Sequence, residues 1–119
     1  MNGKRKLLVV DDEHLIVKII SDIFTNEGFE VISALNCERA LQHLREDSFH
    51  IVLTDIRMPE RNGIDLLEDI RAFNPEIPVI LMTGFASFDT AVEAVKHGAF
   101  DYLSKPLDFN KLKSVVRHA

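Results

Sequence analysis

Short apolar runs alternate with segments of helical apolar spacing along the whole chain, and this alternation restricts the fold more than any single motif does. The strand-like runs are Lys6–Val10, Glu30–Ala34, Ile51–Thr54, Val79–Met82 and Tyr102–Ser104. Val, Ile and Leu dominate them, and the first, third and fourth are nearly continuous in apolar character. Strands of a parallel sheet covered on both faces read this way, because neither face meets water. Between the runs lie amphipathic helical segments. The first carries Leu15, Ile16, Ile19, Ile20, Ile23 and Phe24 and stops at Gly28; the second carries Cys37, Ala40, Leu41 and Leu44. The third carries Leu67, Ile70 and Phe73. The fourth carries Phe88, Ala91, Val92 and Val95 between a cap at Ser87 and a stop at Gly98. The last carries Phe109, Leu112, Val115 and Val116 behind Asp108, which can cap it. Strand and helix in strict alternation give an α/β doubly wound parallel sheet with right-handed crossovers. At 119 residues, 46% of them hydrophobic, the chain suits one such domain.

Ligands of doubly wound sheets sit at the carboxyl ends of the strands, near the reversal of strand order. The residues at those ends are therefore the candidates for chemistry. The first strand runs straight into acid, as "KLLVVDDEH", ending in Asp11 and Asp12; the third ends at Asp55, the fourth at Thr83 and the fifth at Lys105. If the first and third strands are neighbours, three carboxylates converge on one edge. Such a group repels itself unless a cation sits among it, and a small set of hard oxygen ligands suits Mg²⁺. An aspartate held beside a divalent cation, a lysine and a hydroxyl can act as a nucleophile toward a phosphoryl group. Phosphoryl transfer needs positioning and charge neutralisation above all, which Lys105 and Thr83 can supply.

Composition removes several classes of function. The net charge of -5 argues against a nucleic-acid-binding surface, and no basic run exceeds "KRK" at Lys4–Lys6. A single cysteine, Cys37, allows no disulfide within the chain and reads as a small buried apolar residue of a reducing compartment. The basic start "MNGKRK" precedes only "LLVV", too short for a signal segment, and no run suits a membrane span. A cytoplasmic domain is the expectation.

Four pieces, "VVDDE", "LTDIRMPERNG", "ILMTGF" and "DYLSKP", stand in this order at the expected strand ends. With their separations, they make the chain resemble, over essentially its whole length, the receiver domain of two-component response regulators. The resemblance implies a flavodoxin-like (βα)5 fold with strand order 2-1-3-4-5. It implies that Asp55 accepts the phosphoryl group. Asp12 would ligate Mg²⁺ (or Mn²⁺) directly and Asp11 more through water, with Asp55 and the backbone carbonyl of Arg57 completing the metal site. Thr83 would bond the phosphoryl group once formed, Lys105 would pair with it, and Tyr102 would be the aromatic that changes rotamer. The phosphodonor implied is a sensor histidine kinase or a histidine phosphotransfer protein, docking on the first helix. The resemblance implies that the domain would catalyse its own phosphotransfer and dephosphorylation while being consumed as a substrate, and so would not be a turnover enzyme.

The resemblance also implies a switch. A phosphorylated aspartate would bring new negative charge and acceptor oxygens to the sheet edge, Thr83 would move to meet them, and Tyr102 would turn into the space vacated. The face expected to change is the fourth helix, fifth strand and last helix, with homodimerisation or partner docking as the expected output and no direct contact with nucleic acid. The stretch from Thr83 to Pro106 is similar to receivers attached to transcriptional activators of the NtrC type, and the last helix reaches "SVVRHA" with no stop signal. Residues 1–119 are thus expected to form one receiver domain, either cut from a longer chain with a C-terminal output domain or standing alone with a last helix that frays.

Other classes fit less well. A flavin or dinucleotide site wants a glycine- or hydroxyl-rich loop after the first strand, where "DDEH" stands. An aspartate-dependent phosphatase would carry its nucleophile on the first strand, with a second acid two residues on, and 119 residues leave no room for a cap. A receiver-shaped interaction module would lack some of the site residues. Glu13 reads as a first-turn helix residue rather than a metal ligand, and the five histidines, on different elements, show no metal-ligand spacing. Met58, Pro59 and Gly63 read as loop geometry.

Overall fold

A computed structural model describes residues 4–56, 63–84, 92–94 and 96–119. Five strands form one parallel sheet: β1 (Lys6–Val10), β2 (Glu30–Ala34), β3 (Ile51–Asp55), β4 (Val79–Thr83) and β5 (Asp101–Ser104), in the order β2-β1-β3-β4-β5. The helices are α1 (His14–Asn26), α2 (Cys37–Glu46), α3 (Gly63–Phe73) and, last in the chain, α4 (Phe109–His118). Residues 92–94 and 96 are also helical. They belong to the fourth helix expected from the sequence, of which Ser87, Phe88, Ala91 and Val95 lie outside the described residues, as does the side chain of Phe73.

The three central strands are buried on both faces, as their continuous apolar character requires. Successive side chains on a strand point to opposite faces, so each strand feeds two cores. Leu8, Val10, Val52 and Leu81 meet Ala40, Leu41 and Leu44 of α2 and Leu66, Leu67 and Ile70 of α3. Leu7, Val9, Leu53, Ile80 and Met82 meet Val17, Ile20 and Phe24 of α1 and Leu112 and Val116 of α4. Each such aliphatic side chain, fully withdrawn from water, stabilises the fold by about 1.5–3 kcal/mol.

The helix ends follow local chemistry. Asn36 Oδ1 accepts from the Arg39 N–H at 2.8 Å and caps α2. Asp108 Oδ1 accepts from the N–H groups of Asn110 and Lys111 at 3.0 and 3.2 Å and caps α4. Gly28 (φ 96°) and Gly98 (φ 85°) end α1 and the 92–98 segment in left-handed conformations that suit glycine.

Three sequence expectations are corrected. Leu15 is not on the buried face of α1: it is 68% exposed, and Val17 takes the inner position with Ile20 and Phe24. Glu13 precedes the first turn of α1, at the N-cap position with extended backbone, and makes no side-chain cap bond. Asp55 and Thr83 are the last residues of their strands, not the first beyond them. Asp55 pairs in register with Met82 and Thr83 with Ser104, and the Ile56 N–H still donates to the Met82 carbonyl at 2.9 Å.

Candidate functional site

The carboxyl ends of β1, β3, β4 and β5 bring together residues far apart in sequence. β1 lies between β2 and β3, so the acids after Val10 stand beside the end of β3. Asp11, Asp12 and Asp55 each place a carboxylate oxygen within 4.8 Å of the others. Asp11 is fully buried and Asp55 nearly so, whereas Asp12 is exposed. Thr83, also buried, closes the end of β4. Lys105 follows β5, and its backbone N–H donates to the Thr83 carbonyl at 2.7 Å, which fixes it over the same edge. The Lys105–Pro106 peptide is cis.

Lys105 ties the acids together. Its Nζ donates to Asp11 Oδ2 at 3.0 Å and lies 3.5 Å from Asp55 Oδ1. Asp11 Oδ1 accepts from the Glu13 N–H at 3.0 Å, so both oxygens of the deepest carboxylate are engaged. Burial works against the Lys105 charge, yet the hydrogen bond it donates to Asp11 and the charges of Asp11, Asp55 and Glu13 outweigh it and hold the ammonium pKa above its usual value.

Asp55 has the opposite imbalance. Burial, then the charge of Asp11, push its carboxyl up to about 6; Lys105 opposes the rise, and Asp12 adds to it. One lysine does not balance three carboxylates. The remaining negative charge, an all-oxygen donor set and a partly exposed mouth fit a small hard divalent cation. Asp12 and Asp55 are the members with oxygens less committed to other partners than those of Asp11.

Gly63 sets how closely α3 approaches this edge. A Cβ built there would lie 2.3 Å from the Asp55 carbonyl oxygen, and the Gly63 N–H donates to the Ile56 carbonyl at 2.8 Å. Sequence reading assigned Gly63 to the turn but missed this contact, for which the spacing of motifs carries no signal. Thr54 Oγ1 donates to the same Asp55 carbonyl at 3.0 Å. Tyr102 on β5 is half-buried against the α2–α3 core, and its hydroxyl is buried with no hydrogen-bond partner among the described residues. Arg57 lies outside the described residues, as do Met58 and Pro59.

Two further contacts escaped the sequence reading. His97 stands between Glu68 on α3 and Glu93, at 3.5 and 3.2 Å. Arg71 donates to the Gly98 carbonyl at 3.2 Å and to that of Pro75 at 3.3 Å. Together they fasten the 92–98 segment to α3. Among the described residues no helix is long and apolar enough to cross a membrane.

Known proteins share both the sequence and the architecture. The chain is 48% identical over 120 aligned positions to the transcriptional regulatory protein ZraR of Klebsiella oxytoca, covering 100% of this chain and 27% of that protein. It thus spans about a quarter of the length of the curated relatives it matches. A receiver domain protein (CheY-like) from Methanospirillum hungatei JF-1 superposes with a TM-score of 0.93 at 29% identity, covering 98% of this chain and 93% of that one. The beryllofluoride-activated NtrC4 receiver domain, solved as a dimer, superposes at 0.90 with 34% identity, covering 95% and 93%. The family model for the response regulator receiver domain matches residues 7–117. A sheet of this order, with its acids and its lysine gathered at one edge, has a place among known folds: the chain belongs to the response regulator receiver domains.

Proposed function

We propose that the domain is a phospho-accepting switch in which Asp55 takes a phosphoryl group from a phosphohistidine on a sensor kinase or histidine phosphotransfer protein. One observation carries the reading: Lys105 Nζ lies 3.0 Å from Asp11 and 3.5 Å from Asp55, which supports a cation held within reach of the carboxylate we assign as the acceptor. An Asp55 oxygen attacks phosphorus, the P–N bond to the donor breaks with its electron pair going to that nitrogen, and neutral imidazole leaves, its proton being the one already carried on the other ring nitrogen. Lys105 is positioned to exchange its contact with Asp55 for one with a phosphoryl oxygen. Thr83, at the end of the neighbouring strand, offers its hydroxyl to a second. Asp12 and Asp55, with Asp11 acting more through water and the carbonyl of Arg57, would hold Mg²⁺ or Mn²⁺. The cation supplies charge neutralisation on the transferred oxygens when bound.

The output follows from packing. Drawing Thr83 toward the new group opens space next to β5, and the Tyr102 hydroxyl has no hydrogen-bond partner among the described residues in its present position. Its turning would change the face made by the 92–98 segment, β5 and α4, the surface proposed for homodimerisation or partner docking. The similarity to transcriptional regulators supports control of transcription by a further domain of a longer protein, residues 1–119 acting as the receiver. We read the domain as a consumed phosphoacceptor of the cytoplasm rather than a turnover enzyme.

The test is intact mass after incubation with Mg²⁺ and acetyl phosphate. A single phosphoryl adduct that is labile to hydroxylamine, requires Mg²⁺ and is absent from Asp55→Asn supports the reading. Should neither acetyl phosphate nor a phosphorylated histidine kinase domain label the protein, the reading fails.

A further inference from the structure

β2 is an edge strand, paired only with β1. The Glu30 N–H donates to the Arg5 carbonyl and the Ala34 carbonyl accepts from Asp11, so the backbone groups of residues 30, 32 and 34 face β1. By the two-residue alternation of a strand, those of Ser33 face away from the sheet. Outside that edge lies a cavity of about 370 Å³ lined by Ser33, Ala34, Leu35, Asn36, Arg39 and His43. Arg39 and His43 stand one helical turn apart on α2, on the same side of the helix. Neither side chain makes a hydrogen bond or ion pair among the described residues. By contrast, Lys6, Lys105 and Arg117 are each engaged with carboxylates, and Arg5 and Arg71 with carbonyls. The Asn36 side-chain oxygen is already spent on capping.

We propose that this cavity binds a small oxyanion, a phosphate monoester or a hydroxy-carboxylate, apart from the acidic site at the ends of β1 and β3. Guanidinium is the side chain best suited to two-pronged recognition of phosphate or carboxylate. The outward amide of Ser33 donates to a further oxygen, and its carbonyl accepts from a hydroxyl of the ligand. Leu35, 36% exposed, and Ala34 give an apolar wall for a short carbon skeleton. The volume is at the small end for ligand sites, which excludes large cofactors. The acidic trio repels the same ligands when no cation is present, so the two sites are separable by experiment.

The test follows backbone amide resonances of the whole 119-residue chain during titration with inorganic phosphate, glycerol 3-phosphate or malate, in EDTA. Sodium chloride at matched ionic strength controls for screening. The expected result is saturable shifts at Ser33, Leu35 and Arg39, with a midpoint of roughly millimolar order. Arg39→Gln abolishes them and His43→Gln weakens binding several-fold, with the rest of the spectrum unchanged. Stronger shifts with glycerol 3-phosphate or with malate identify the class. Absence of saturation with all three probes overturns the proposal, as does saturation that persists in Arg39→Gln.

Discussion

Asp55→Asn should make the metal-free protein more stable, and by an amount that depends on pH. The Asp55 side chain is only 8% exposed and its carboxyl is pushed up to about 6 by burial and by Asp11, against 3.8 for a free side chain. The folded state therefore holds this proton more tightly than the unfolded state does. Below about pH 4 both states are protonated and the group costs nothing. As pH rises through the window from 3.8 to about 6, the folded protein must ionise a carboxyl it prefers to keep neutral, and stability is lost. Above that window the full cost applies, about 3 kcal/mol at ~1.4 kcal/mol per pH unit. Asparagine has no such proton. The difference in unfolding free energy between Asp55→Asn and the parent should be about 2 kcal/mol larger at pH 7.5 than at pH 4.5. The full cost corresponds to about 10 °C in Tm for a chain of this size. Urea unfolding followed by circular dichroism in EDTA measures it. Mg²⁺ should then raise the parent toward or past the variant, because it binds only the folded trio and loses a ligand in the variant. A stability difference that is flat with pH, or that grows toward acid, would refute the claim that uncompensated charge at Asp55 dominates this edge.

Lys105→Met removes the only cation within contact of Asp11 among the described residues and leaves two buried carboxylates facing each other. It should cost about 3–5 kcal/mol in EDTA at pH 7.5, seen as a lower urea midpoint, with part regained on adding Mg²⁺. Gly63→Ala forces a backbone carbonyl to retreat from a Cβ at 2.3 Å. Chemical denaturation should show a loss of about 1–3 kcal/mol, and the rate of labelling by acetyl phosphate should fall because Asp55 moves with its carbonyl. Tyr102→Phe deletes a buried hydroxyl that has no partner among the described residues, so the unphosphorylated domain should gain about 1 kcal/mol in the same assay or stay level, never lose stability.

What the sequence made legible was whatever is periodic or local. Runs such as "KLLVV" and "IVLTD" carry their burial on their face, and Asn36, Asp108, Gly28 and Gly98 mark helix ends by chemistry confined to one turn. The placing of Asp11, Asp12, Asp55, Thr83 and Lys105 at the carboxyl edge followed from the alternation of strand and helix, but their convergence needed the strand order, which rested on resemblance, because nothing local in 119 residues records which strand lies beside which. Leu15 misled because Val17, two positions on, completes the inner face of α1 with Ile20 and Phe24 equally well, and periodicity does not choose between faces flanked by similar apolar residues. The Lys105–Asp11 bond, the approach of Gly63 to Asp55 and the clasp of Arg71 and His97 on the 92–98 segment depend on distances between elements, which composition and spacing do not carry.

The bond between Lys105 and Asp11 joins residues 94 positions apart, and Asp55 stands between them in sequence. Synthesis therefore delivers Asp55 long before the lysine that faces it. A nascent or truncated chain that ends before β5 would present its acids with no lysine to steady them. Contacts of such long range form late in folding. On the function proposed above, competence to receive a phosphoryl group would be a certificate of completion, because Lys105 reaches Asp11 and Asp55 only once the residue that follows the last strand has come up beside the ends of β1 and β3.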